Sequence, residues 1–171
     1  MLHRGFTLIE LMITIAIAAI LLTIVVPGFA GLVSSNRITT QTNELVTDLM
    51  VAKSAAVQRG VKVAICIRNA AGNDCNTAGS WSNGWIVFTD PNGNGTVDAG
   101  ETITRVHEVL PTGITLTSAG FATATILTYA PSGSVSSNGA FRICQPSQFG
   151  RDIDVSTTGH TSTKKTATVC P

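Results

Sequence analysis

The sequence predicts an α+β fold, one long amino-terminal helix packed on an antiparallel β-sheet domain. Three observations carry that prediction. Residues 11–26 are almost wholly Leu, Ile, Val, Ala and Met, broken only by Thr14 and Thr23. Residues 34–60 place apolar side chains at helical spacing, with no Gly or Pro between Leu32 and Arg59. From residue 61 the pattern turns to short alternating runs separated by Gly, Pro and Asn.

The apolar run resumes after Pro27-Gly28 with residues 29–33. At about 1.5 Å per helical residue, such a segment can cross the roughly 30 Å hydrocarbon core of a bilayer. One carboxylate, Glu10, stands near its start. A charge inside an apolar segment is costly and calls for a partner. Two plainer readings compete. One is a secretory signal peptide, with Arg4 as its charged region and residues 28–30 as a small-residue cleavage site. The other is a single-span anchor whose Glu10 reaches to the interface. Glu10 speaks against the signal peptide, because it puts negative charge at the head of the apolar region.

Within 34–60, Leu45, Leu49, Ala52 and Ala56 recur on one face, flanked by Val46, Met50 and Val57. Thr39, Thr40, Gln41, Asn43 and Lys53 supply the polar remainder. This helix is expected to continue the apolar one, cover a sheet with its stripe and stop at Gly60. It lacks the sustained heptads of a free coiled coil.

Residues 61–68 alternate as a half-buried strand, 69–83 form a loop, and 84–88 read as a buried strand with 102–109 as its partner. Further strands are expected at 114–117, 125–129, 140–144, 153–156 and 166–169, with turns at 111–113 and 131–133.

Charged residues are 12% of the chain, and 11 basic against 10 acidic side chains give a net charge of +1. That balance argues against a strongly electrostatic nucleic-acid binder. An even count of cysteines, Cys66, Cys75, Cys144 and Cys170, suggests two disulfides in an oxidising compartment. Three pairings are open, and Cys66–Cys75 with Cys144–Cys170 is favoured because each closes a local loop. Zinc is the alternative, without a C-x-x-C spacing or a nearby His pair to support it. His107 and His160 are isolated in sequence and no serine sits in a Gly-x-Ser-x-Gly setting, so no enzyme is expected.

Gly5-Phe6-Thr7-Leu8-Ile9-Glu10-Leu11 resembles the amino-terminal signature of type IV pilins and the pseudopilins of type II secretion. The resemblance implies a type IV pilin-like fold with four parts. Residues 1–5 would be a leader, cut after Gly5 by prepilin peptidase at the cytoplasmic face, with Phe6 then N-methylated. Residues 6–33 would be a retained transmembrane and filament-core helix. Residues 34–60 would be its amphipathic continuation, and 61–171 a periplasmic β-rich domain. Losing Arg4 with the leader leaves 10 basic minus 10 acidic side chains, or zero. Phe6, Glu10 and Pro27 are the implied assembly residues. Glu10 would pair with the Phe6 ammonium of a neighbouring subunit, and Pro27 falls where the family has a proline that bends or locally melts the helix.

Further along, Cys66 with Cys75, Trp81-x-x-Gly84-Trp85-Ile86-Val87-Phe88, Asp90-x-Asn92-Gly93-Asn94-Gly95 and Gly100-Glu101 are similar to the GspH/FimT branch of minor pilins. This implies a structural subunit of a type II secretion pseudopilus or a type IV pilus, acting in filament initiation or at the tip. Its partners would be other pilin or pseudopilin subunits, prepilin peptidase/methyltransferase and inner-membrane lipid. It would be a single-pass inner-membrane protein entering a periplasmic or surface filament, with no required cofactor.

Two side expectations accompany it. Residues 90–101 fit the spacing of a calcium loop, with Asp90, Asn92, Asn94, Thr96, Asp98 and Glu101 as ligands. An Asx-bonded hairpin turn explains the same residues without a metal. The alternative function is a DNA-binding minor pilin for DNA uptake. Members of that kind carry Gly-Arg-x-Arg in a carboxy-terminal loop. The corresponding Gly159-His160-Thr161-Ser162 lacks both arginines, which leaves Arg151, Lys164 and Lys165 as the DNA candidates, with Asp152 and Asp154 beside them to repel phosphate.

Overall fold

The structure is a computed structural model that describes residues 6–171, without the side chains of residues 24–28 and 30. Gly5, the expected cleavage position, lies outside the described residues.

Helix α1, Leu8–Arg59, is 52 residues long. It begins where Thr7 takes an extended conformation and caps the first turn, and it ends where Gly60 turns left-handed at φ +65° and donates its N–H to the Ala56 carbonyl. The expected continuity of the two helical stretches is observed. At Pro27, where the resemblance implies a bend or local melting, α1 is continuous. A proline removes one backbone donor, and the helical bonds on either side carry the helix past it.

Eight strands follow: β1 (Val63–Ile67), β2 (Trp85–Thr89), β3 (Ile103–His107), β4 (Thr115–Ala119), β5 (Ile126–Tyr129), β6 (Gly139–Cys144), β7 (Phe149–Val155) and β8 (Thr161–Val169). Every strand expected from the sequence is there. The single sheet is corrected to two, β3-β2-β1-β5 and β4-β6-β7-β8, each antiparallel throughout. Alternation in a sequence reports which face a residue takes, not which strand it pairs with. Both sheets share one core with α1. Ile38, Leu45, Leu49, Ala52 and Ala56 of the helix meet Val63, Ile65, Trp85 and Val87 of the first sheet and Leu116, Phe141, Ile143 and Ile153 of the second.

The half-buried reading of the first strand is also corrected, because all five residues of β1 are buried. Ala64 and Cys66 turn away from the helix and join Ile86 and Phe88 in a second cluster, covered by Cys75, Val97, Ile103 and Ile126. Cys75 and Val97 come from loops, which periodicity does not register, and Ile103 and Ile126 from the starts of β3 and β5. β7 and β8 are longer than expected. β8 is an edge strand whose exposed Thr and Lys residues suit a solvated pleat but show little apolar alternation. Both favoured disulfides are formed, Cys66–Cys75 with S–S 2.04 Å and Cys144–Cys170 with S–S 2.09 Å.

Candidate functional site

The start of α1 is built as a reciprocal cap. The Glu10 N–H donates to Thr7 Oγ1 at 3.3 Å, while Glu10 Oε2 accepts from the Thr7 N–H at 3.0 Å and the Thr7 hydroxyl at 3.0 Å. Phe6 lies just outside this cap, exposed, and Leu8, Ile9, Leu11, Met12, Ile13, Ile15, Ile17, Ile20, Leu21 and Leu22 continue the exposed apolar surface. Glu10 and Phe6 are thus brought together at one helix end. Thr7 is a participant the sequence reading missed, although Thr7-x-x-Glu10 ahead of an apolar run is the capping-box signature. Among the described residues, no helix is long and apolar enough to cross a membrane. The apolar run of the sequence continues through residues 24–28 and 30, whose side chains lie outside that description.

The 90–101 loop gathers its expected residues, bonded to one another. The carboxylate of Asp90, fully buried, accepts from the N–H groups of Gly93 at 2.7 Å, Asn94 at 3.1 Å and Gly95 at 3.2 Å. Asn92 and Asn94 donate their side-chain amides to Asp98 Oδ2 at 2.9 and 2.7 Å. Glu101 Oε2 accepts from the Asp98 N–H at 3.0 Å, and Asn94 Oδ1 from the N–H and hydroxyl of Thr96. Gly93 and Gly95, both at φ +76°, let the backbone fold around Asp90. The turn reading accounts for all six residues. Among the described residues, no group of three or more His, Cys, Asp or Glu side chains is placed to hold a metal ion.

Arg151, Lys164 and Lys165 fall on β7 and β8 but do not form one patch. Adjacent strand residues point to opposite faces, so Lys164 and Lys165 diverge. Lys164 stands opposite Asp152 and binds Asp154 at 2.7 Å. That partner pushes the lysine above its ordinary range. Asp152 also receives Arg142 in a two-pronged contact, at 2.6 and 3.0 Å. The Arg142 hydrogen bond holds the Asp152 carboxyl below the ordinary carboxylate range, against its burial, with the charges of Arg142 and Lys164 adding to the effect. On the other face Lys165 lies opposite Arg151 and sits over the Phe149 ring at 3.9 Å.

Comparison with known proteins joins these features. Residues 1–26 match the prokaryotic N-terminal methylation motif. Residues 41–159, well over half of the chain, match the family described as Type II transport protein GspH. The chain belongs to the GspH family. Its fold is similar to that of the type IV minor pilin FimU of Pseudomonas aeruginosa, at TM-score 0.57 and 20% identity over 78% of this chain and 96% of that one. It is similar too to the minor pseudopilin EpsH of the Vibrio cholerae type 2 secretion system, at TM-score 0.53 and 11% identity over 75% of this chain and 97% of that one. No curated protein sequence matches. At these identities the structural likeness speaks for the fold, and the type IV pilin-like architecture expected from the sequence is the one observed. The family is one of type II transport proteins, and the two similar folds are those of a minor pilin and a minor pseudopilin.

Proposed function

We propose that this GspH-family chain is anchored in the inner membrane by residues 6–33 and serves a type II secretion pseudopilus or a type IV pilus in filament initiation or at the tip. The observation that carries this reading is the capped start of α1. An exposed apolar helix begins at the Thr7–Glu10 box and runs unbroken into the helix that packs against the two sheets. Cleavage after Gly5 would free an ammonium group on Phe6 within four residues of the Glu10 carboxylate. In a bundle of such helices, the Glu10 of one subunit accepts the Phe6 ammonium of the next, so neither charge is left alone among apolar side chains. Prepilin peptidase supplies the cleaved and methylated end, and the sheets present their surfaces to neighbouring subunits. The working step is assembly, with no bond made or broken by the mature chain.

The test is Glu10→Val, with Glu10→Ala beside it. Either variant is expected to fold, insert and be processed, but to be absent from sheared or cross-linked filaments. Incorporation at the wild-type level would overturn the assembly role of Glu10.

A further inference from the structure

The seam between α1 and the free edge of the first sheet holds a set of polar contacts that the filament reading does not use. β3 is the outer strand there, and a groove of about 440 Å³ between it and the helix is lined by Glu44, Asp48, Arg105 and His107, among others. Trp85, fully buried, donates its indole N–H to Asp48 Oδ2 at 2.9 Å. The imidazole of His107 lies flat on that indole, ring centroids 3.8 Å apart and planes 11° apart. Its Nε2 faces Glu44 Oε2 at 2.8 Å, and its Nδ1 faces the Glu108 carbonyl at 2.8 Å. Glu44 and Asp48, one helical turn apart, grip the two stacked rings from the helix side.

A carbonyl oxygen and an ionised carboxylate only accept, so each approach needs an N–H on the ring. Neutral imidazole carries one N–H and imidazolium carries two. We propose that His107 is a proton-dependent clasp, fastening β3 to α1 when both ring nitrogens are protonated and loosening when one proton leaves. The indole face attracts a cation, and α1 presents the carboxylates of Glu44 and Asp48. The basic group of β3, Arg105, has its Nε 3.9 Å from Asp48 Oδ1. Beyond β3, the Glu108 carboxylate is paired with Arg68. A neutral ring keeps only one of its two bonds. The bond to the adjacent Glu108 carbonyl is local, whereas the contact with Glu44 crosses from sheet to helix, and proton loss turns it from an ion pair into at most one hydrogen bond from a neutral ring. The seam is therefore tighter on the acidic side of the histidine range, about pH 5–8, and looser on the alkaline side.

The experiment uses the full-length chain in detergent micelles, with tryptophan emission followed from about pH 5.5 to 8.5 across that range. Imidazolium stacked on an indole quenches it, so emission should rise in one step as the ring becomes neutral. His107→Gln should abolish the step, and His160→Gln, altering a residue in the β7–β8 turn, should leave it in place. The wild-type Tm should fall by about 2–4 °C over the same interval. Glu44→Gln, which keeps the side-chain shape, should remove that fall. A wild-type chain with no emission step, or a step that survives in His107→Gln, overturns the proposal. So does a Tm fall of equal size in Glu44→Gln.

Discussion

Removing each disulfide in turn should separate two ways in which a cross-link stabilises this domain. The bridges span 9 residues for Cys66–Cys75 and 26 for Cys144–Cys170. Loop-closure entropy alone assigns them about 2.6 and about 3.5 kcal/mol, so the longer bridge should matter more by about 1 kcal/mol. The structure reverses that order. Cys66 is fully buried beside Ala64, Ile86 and Phe88, and its bridge holds down the loop that covers them. The same loop receives the 90–101 segment, whose Val97 N–H donates to Asp74 Oδ1 at 2.9 Å. Full burial of an Ile or Phe side chain is worth about 1.5–3 kcal/mol, so partial uncovering of Ile86 and Phe88 adds about 2–3 kcal/mol to the shorter bridge. Cys66→Ala/Cys75→Ala should then cost about 5 kcal/mol, and Cys144→Ala/Cys170→Ala about 3.5 kcal/mol. In a chain of this size those losses lower Tm by about 10–20 °C and about 7–14 °C respectively. The assay is thermal unfolding of the full-length chain in detergent, without reductant, followed by circular dichroism. If the Cys144/Cys170 variant loses more, loop length governs and the covering role of the shorter bridge is refuted.

Two further outcomes follow from the site geometry. The Asp152 carboxyl is held below its ordinary range by Arg142. Its contribution is therefore complete above the unfolded-state value of about 3.9 and is lost as pH falls through the lower folded value. A Tm-versus-pH series should show wild type losing stability more steeply than Asp152→Asn below about pH 4. Calcium should leave Tm unchanged, because backbone N–H groups already occupy the Asp90 carboxylate. Asp90→Ala should lower Tm without any metal, by an amount equivalent to about 2–4 kcal/mol for its lost charge-assisted bonds, and a calcium-induced rise in the wild type would restore the metal reading.

What could be read from the sequence follows from the range over which each signal acts. The long helix, its stop at Gly60 and all eight strands rest on local spacing and turn chemistry, and these appeared at or near their expected places. The division into two sheets depends on pairings between distant segments. β1 lies between β2 and β5, for example, while β4, which precedes β5 in the chain, joins the other sheet. No local pattern carries that information. The second cluster under the disulfide loop escaped for a related reason, since Ala64 and Cys66 look like the outward residues of a half-covered strand until Val97 and Ile126 are seen above them. At the candidate site, Phe6 and Glu10 were marked by their place in the chain. His107, isolated in sequence, becomes informative only once the fold sets it between Trp85 and Glu44.

The capping box bears on how Glu10 can serve both the lone chain and a filament. An unpaired carboxylate in an apolar helix would be a standing penalty before assembly, and the Thr7 donors meet part of it within the chain. Both of those bonds fall on Oε2. An ionised carboxylate offers about four acceptor positions, so Oε1 and its lone pairs can take an ammonium group while the cap stays intact. Pairing with a neighbour's Phe6 therefore need not unwind the first turn of α1. The cap fixes the Glu10 rotamer at the helix start, and the charge is presented from a held position rather than from a mobile side chain. In the proposed filament, residue 7 would contribute to assembly by orienting Glu10, and residue 6 by supplying the charge that Glu10 receives.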